Sequence, residues 1–245
     1  MDIFTPLLLL SGLAILNKSS SSSHSNSSSS SSEYGSIKNG KFVPKAQPNF
    51  KNQLNEILLD LEEKLDIENL RDFLMGVAWV ESKFFPSAIK YETLDKDRIV
   101  DIKKIYKTNP YINNIALWSW TGGLFQQFPS TCLKTADGVG KKNSPITIFN
   151  PYYTIAYAID FASRLNKSYG ANTWFDIRLG WHSLGLLKSK DPDIMLEVEN
   201  RIVKGINNSG GNPEILYKYN PNNFSKYRSE YGFKKLLNYL TTNQS

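Results

Sequence analysis

Glu81 closes the stretch Asp66–Glu81 (DIENLRDFLMGVAWVE), in which Leu70, Phe73, Leu74 and Val77 recur at helical spacing. The next step of that series lands on Glu81, so a carboxyl group is aimed along the apolar stripe of the helix. Burial there disfavours the charged form, raises the pKa and lets the group keep a proton near neutral pH. That is the property required of a general acid that protonates the oxygen leaving a glycosidic bond. The competing reading of the same residue is a helix-terminal Glu turned to water or paired with Lys83.

Other chemistries find little footing. Cys132 is the one cysteine, so neither a disulfide framework nor a cysteine metal site is available, and its apolar flanks read as a small buried hydrophobe. His24 and His182 lack metal-ligand spacing, and no P-loop or GxGxxG pattern occurs. Neither a metal nor a cofactor is therefore expected. The net charge of +6 suits an anionic partner. The cations are scattered without the basic block of a nucleic-acid binder, so nucleic acid is not expected as a partner. The 13 Tyr, 13 Phe and 5 Trp suit sugar stacking, although most are expected to fill the core.

The elements that must position Glu81 are helical. Phe50, Leu54, Ile57, Leu58, Leu61 and Leu65 mark a first amphipathic helix with Asn49 as N-cap. The Glu81 helix stops before Pro86. Asn150-Pro151 opens a strong helix buried through Ile155, Ala158, Ile159, Ala162 and Leu165 and ended by Gly170. Further helices are expected over Thr173–Leu184, from Pro192 through Val203, and in a last segment holding Phe224, Tyr227, Leu236, Leu237 and Leu240. No sustained alternation marks a strand, so the fold class is mainly α.

Upstream, residues 3–16 are uncharged but short for a membrane span, which needs roughly 20 residues. A membrane anchor, an atypical export signal and a segment docked on another protein, such as a virion protein, all remain open; an anchor or docking segment is favoured. Residues 19–32 are almost pure serine and read as a flexible linker, continuing as an extended segment through Pro48. The expected organisation is an apolar segment at 1–18, a linker at 19–48, a globular domain at 49–205 and a helical extension at 206–245.

Four segments then stand in a recognisable order: ESKFFPSAI (Glu81–Ile89), GLFQQFPST (Gly123–Thr131), NPYYTIAYAIDFASRL (Asn150–Leu165) and IRLGWHSLG (Ile177–Gly185). Together they resemble the lytic transglycosylase domain of the lysozyme-like superfamily. The resemblance implies a helical, lysozyme-like fold with a glycan cleft and peptidoglycan glycan strands as partner. It implies Glu81 as a single catalytic residue, acid towards the glycosidic oxygen and then base towards the sugar's own primary hydroxyl. The substrate's N-acetyl group serves as internal nucleophile, and the product is an anhydro-muropeptide. Ser82 and Gln126 match positions that hold substrate, and Gly123, Phe125, Tyr157, Trp181 and His182 complete the expected substrate-binding set. Ser82 is equally a polar residue at a helix end, and Trp181 and His182 are equally core residues of their helix.

The chain departs from that pattern in three places. The stretch Glu92–Trp120 separates Glu81 from the GLFQQ turn, carries Ile99, Ile102 and Ile105 at helical spacing, and ends in Trp118 and Trp120. Packing is expected for one tryptophan, and sugar stacking stays open for the other. Thr154 stands where the family keeps an asparagine, and Gly180-Trp181-His182 stands where it keeps Ala-Tyr-Asn. A hydrolytic muramidase and a non-catalytic glycan-binding or virion structural protein are the alternative functions. The expected location is the cell envelope or a phage virion.

Overall fold

The computed structural model describes residues 33–242; the apolar segment at 3–16 and the serine run at 19–32 lie outside the described residues. Among the described residues, β1 (Gly35–Lys38) and β2 (Lys41–Pro44) form a hairpin, followed by α1 (Lys51–Leu65) and α2 (Leu70–Ser82). Then come β3 (Ile89–Tyr91), α3 (Lys96–Ile105) and β4 (Trp120–Gly122), with β3 antiparallel to β4. The chain continues through α4 (Pro129–Cys132), α5 (Pro151–Tyr169), α6 (Trp174–His182), α7 (Leu184–Ser189) and α8 (Pro192–Ser209). A π-helical turn at Tyr227–Tyr231 leads into α9 (Gly232–Thr242). The fold is mainly helical and lysozyme-like.

The helices form where apolar periodicity and end signals agree. Leu54, Leu58, Leu61 and Leu65 bury one stripe of α1; its N-cap is Phe50, not the expected Asn49, although the Asn49 side chain accepts from the Lys51 N–H at the first helical residue. In α5, Asn150 accepts from the Tyr152 N–H, Pro151 takes the first position, and Gly170 ends the helix at φ +67°. The expected Thr173–Leu184 helix is instead two. Thr173 and Asp176 form a reciprocal capping box for α6, and Ser183 then breaks it and caps α7 through the Gly185 N–H. Helix α2 crosses α8 at Gly76 and Gly205, where a methyl on Gly76 would lie 2.5 Å from the Ile206 side chain and one on Gly205 would lie 2.5 Å from the Gly76 carbonyl. Two glycines thus let the backbones meet, and everything at the C-terminal end of α2 is held against α8.

Two expectations at the margins change. Residues 35–44 are a hairpin rather than linker: Phe42 is 1% exposed and packs on Trp120 and Phe149, with ring centroids 5.8 and 5.2 Å away. The Tyr91 hydroxyl donates to the Phe42 carbonyl at 2.8 Å, and the Asn150 side-chain N–H donates to the Tyr34 hydroxyl at 2.9 Å. The C-terminal segment is likewise built into the core. Phe233 stacks on Tyr157 at 4.6 Å, and the buried Tyr227 hydroxyl donates to Asp160 at 3.0 Å. Trp118 and Trp120 are both fully buried, so neither offers a face to sugar.

Candidate active site

Helix α2 buries Leu70, Phe73, Leu74 and Val77 completely, and its stripe runs out at Glu81, whose side chain keeps 18% of its exposure. The carboxyl group is therefore held between core and solvent. Its surroundings are not the purely apolar ones that the periodicity implies. The Arg178 guanidinium, itself 2% exposed, donates through one Nη to Glu81 Oε1 at 2.6 Å. Among the described residues this is the hydrogen bond that Glu81 makes, so the second oxygen is left for other contacts. Lys83, the pairing partner suggested by proximity in sequence, instead lays its ammonium 3.0 Å from the centre of the Trp79 ring.

Arg178 is the residue that the sequence reading missed. It lies one turn ahead of Trp181 and His182 on α6, so all three share a face of that helix. An arginine between Ile177 and Leu179 ordinarily carries its charge out to water. The only hint is its place between Ile177 and Leu179 in a helix whose one other charged residue, Asp176, is used in the cap at Thr173.

The turn from Gly123 to Gln127 closes the opposite side. Gly123 is buried at φ +74°, and a methyl there would come within 2.4 Å of the Ile148 carbonyl, so only glycine fits. Gln126 also sits at positive φ and spends its amide inside the turn. Its Nε2 donates to the Ala88 carbonyl at 2.9 Å and the Gly123 carbonyl at 3.3 Å, while Oε1 accepts from the Thr121 hydroxyl at 3.3 Å. It remains half-buried at the surface of the turn. Thr154 lies fully buried beneath Gly123, its hydroxyl without a partner among the described residues.

Three expected substrate contacts are internal instead. The Ser82 hydroxyl is buried between the Ala78 and Leu124 carbonyls at 3.1 and 2.8 Å, clipping the end of α2 to the turn. Phe125 is fully buried. Tyr157 is also fully buried, its ring stacked on Phe233 and its hydroxyl accepting from the Asn143 amide at 2.9 Å. Phe125 and Tyr157 therefore have no surface to offer a glycan, and Ser82 keeps 8% exposure with its hydroxyl engaged by two carbonyls.

Trp181 is half-buried, and its ring is edge-on to Phe73, Phe125 and Phe161 at 6.4, 6.0 and 5.4 Å. It joins α2, the turn and α5 at one point, and its indole N–H is 3.5 Å from the Phe125 carbonyl. His182 is exposed and makes no hydrogen bond among the described residues. Desolvation of its ring, followed by the Arg178 and Arg201 charges, lowers its pKa below the usual 6.5; Glu81 pulls weakly the other way.

A helical body with its candidate acid at the end of a core helix, and a short antiparallel strand pair leading into the facing turn, is lysozyme-like architecture. Residues 62–178 match the family described as Transglycosylase SLT domain. The match supports peptidoglycan-degrading activity of the lytic transglycosylase type and binding of peptidoglycan as substrate. It contains Glu81, the Gly123 turn and Arg178, and it ends before Trp181 and His182. No curated protein and no solved structure matches the chain.

Proposed function

We propose that this protein is a peptidoglycan lytic transglycosylase that cleaves the MurNAc–GlcNAc bond with Glu81 as acid and then base. The observation that carries the reading is the placement of Glu81 inside the matched domain, at the end of a core helix with one carboxyl oxygen fixed by Arg178 and the other unengaged by the described residues. Glu81 protonates the leaving glycosidic oxygen while the substrate's N-acetyl oxygen attacks the anomeric carbon. The carboxylate then removes the proton of the muramic primary hydroxyl, which closes the anhydro ring and expels the acetamido group. No second carboxylate is needed, unlike the paired arrangement of most glycosidases. Trp181 and the Gln126 turn flank the glycan, and the enzyme acts at the cell envelope or from a phage particle.

Mass spectrometry of muropeptides released from purified sacculi tests the reaction. Anhydro-muramic ends are expected. Reducing ends would make the enzyme a hydrolytic muramidase, and no release at all would leave a glycan-binding or virion structural protein.

A further inference from the structure

The tight crossing at Gly76 and Gly205 sets a group of cations beside Glu81. Lys83 follows Glu81 by two residues and caps α2 in the left-handed region at φ +53°. A methyl on Gly205 would lie 2.7 Å from the Val80 side chain, so α8 at Lys204, and Arg201 one turn before it, runs against the last turn of α2, which Lys83 caps; both α8 cations are exposed, and after desolvation their charges lower the Lys83 pKa. Arg201 depresses His182 in the same way. The nearby negative charge is largely committed. Glu81 is engaged by the buried Arg178, and Glu197 reaches Arg201 only at 4.0 Å, with both side chains largely in solvent. Lys83 and Lys204 form no ion pair among the described residues. The Trp79 face holds the Lys83 ammonium in place rather than neutralising it. Folding therefore brings three like charges to one end of the crossing, and Glu81 and Glu197 offset them only in part.

We propose that Lys83, Arg201 and Lys204 form an anion subsite next to the cleavage point that takes the carboxylates of the stem peptide carried by the muramic sugar. The assignment rests on the transglycosylase reading for the identity of the glycan, and it adds what that reading lacks: a preference for strands that bear peptides. A muramic residue bound at Glu81 carries its peptide on the lactyl arm of the same sugar, so carboxylates arrive within reach of cations flanking that residue. Rim charges of this kind act mainly through encounter and register, and they weaken as salt rises.

Binding of the full chain to soluble glycan fragments tests this independently of cleavage. One preparation keeps its stem peptides, a second has them removed by an amidase, and a third keeps them with every carboxylate amidated. The fragments with free carboxylates are expected to bind about five- to thirtyfold more tightly than the other two, a ratio typical of two or three partly exposed charge contacts. Raising salt should shrink that ratio, and the Arg201→Gln, Lys204→Gln double variant should bring it close to one. Equal binding of all three wild-type preparations overturns the subsite, as does a ratio that survives the double variant. If amidated stems bind as tightly as free ones, the cations do not read carboxylates. If wall polymer phosphates restore tight binding to stem-free glycan, the subsite belongs to phosphate and the assignment to stems is wrong. Failure of the chain to cleave sacculi would sink the transglycosylase reading without touching this ratio.

Discussion

Glu81→Gln separates chemistry from structure, because Glu81 is paired with an arginine that has almost no access to water. The substitution keeps the shape and leaves an amide oxygen able to accept from Arg178, but it removes both the transferable proton and the negative charge. Loss of general acid–base catalysis lowers the rate by about 10²–10⁴-fold. Stability falls as well. Breaking a fully buried ion pair from one side costs about 3–5 kcal/mol, and a hydrogen bond to a charged group contributes about 1.5–3 kcal/mol. Glu81 keeps 18% of its side-chain exposure, so solvent offsets part of the loss, and the amide retains part of the hydrogen bond. The expected cost is therefore about 1–3 kcal/mol, or a fall in Tm of roughly 2–12 °C for a domain of this size.

Release of soluble muropeptides and a thermal melt measure the two effects on one preparation. The Glu81→Gln, Arg178→Met double variant supplies the control. Removing the stranded charge should recover part of the lost stability and none of the activity. Wild-type cleavage by Glu81→Gln refutes the assignment of the acid. An unchanged melting temperature in Glu81→Gln, or no recovery in the double variant, refutes the account of Arg178 as a buried charge held by Glu81.

Phe42→Ala should cost about 3–5 kcal/mol in chemical denaturation, since Phe42 fills a buried site between Trp120 and Phe149; a surface-like cost below 0.5 kcal/mol, the usual scale for exposed positions, would return residues 35–44 to the linker. Tyr227→Phe removes the hydrogen bond to the buried Asp160 and should cost about 1–3 kcal/mol by the same assay. His182 should titrate below 6.5 by NMR, and Arg201→Gln should raise its midpoint towards that value. Because the folded pKa is lowered, the unfolded chain binds the proton first. Stability from neutral His182 is complete above about pH 6.5 and is lost as pH falls through the folded value. A midpoint above 6.5 would contradict the charge environment.

The parts of this fold that can be read from sequence are those where several local signals coincide. Helix α5 has an N-cap asparagine, a first-turn proline, a long apolar stripe and a terminal glycine, and its observed limits agree with all four. Glu81 is legible for the same reason, as the next member of a stripe whose burial is complete. The hairpin at 35–44 is not, because each strand has four residues, too few to display alternation, and its single strong anchor is Phe42. Tyr157 and Phe125 mislead for a different reason. A motif aligns residue types with positions but does not say which way a side chain turns, and here both turn inward against Phe233 and Trp181. Trp118 and Trp120 carry the same ambiguity, which burial resolves in favour of packing for both.

Arg178 also bears on positions 181 and 182, where the resemblance leads one to expect other residues. The family resemblance places Tyr and Asn where Trp181 and His182 stand, as residues reaching towards the acid and the sugar. Trp181 has only an N–H, and it points to the Phe125 carbonyl; His182 is exposed and engages no partner among the described residues. Neither contacts the Glu81 carboxyl group through a hydrogen bond. Arg178 does, from one turn earlier on the same helix face, so the acid is held by a buried guanidinium and not by either of those two side chains. The donor carries a full charge and is 2% exposed, so it depends on Glu81 as its partner. Substrate that delivers an oxygen to the free side of the carboxyl group meets an acid already oriented by its other side.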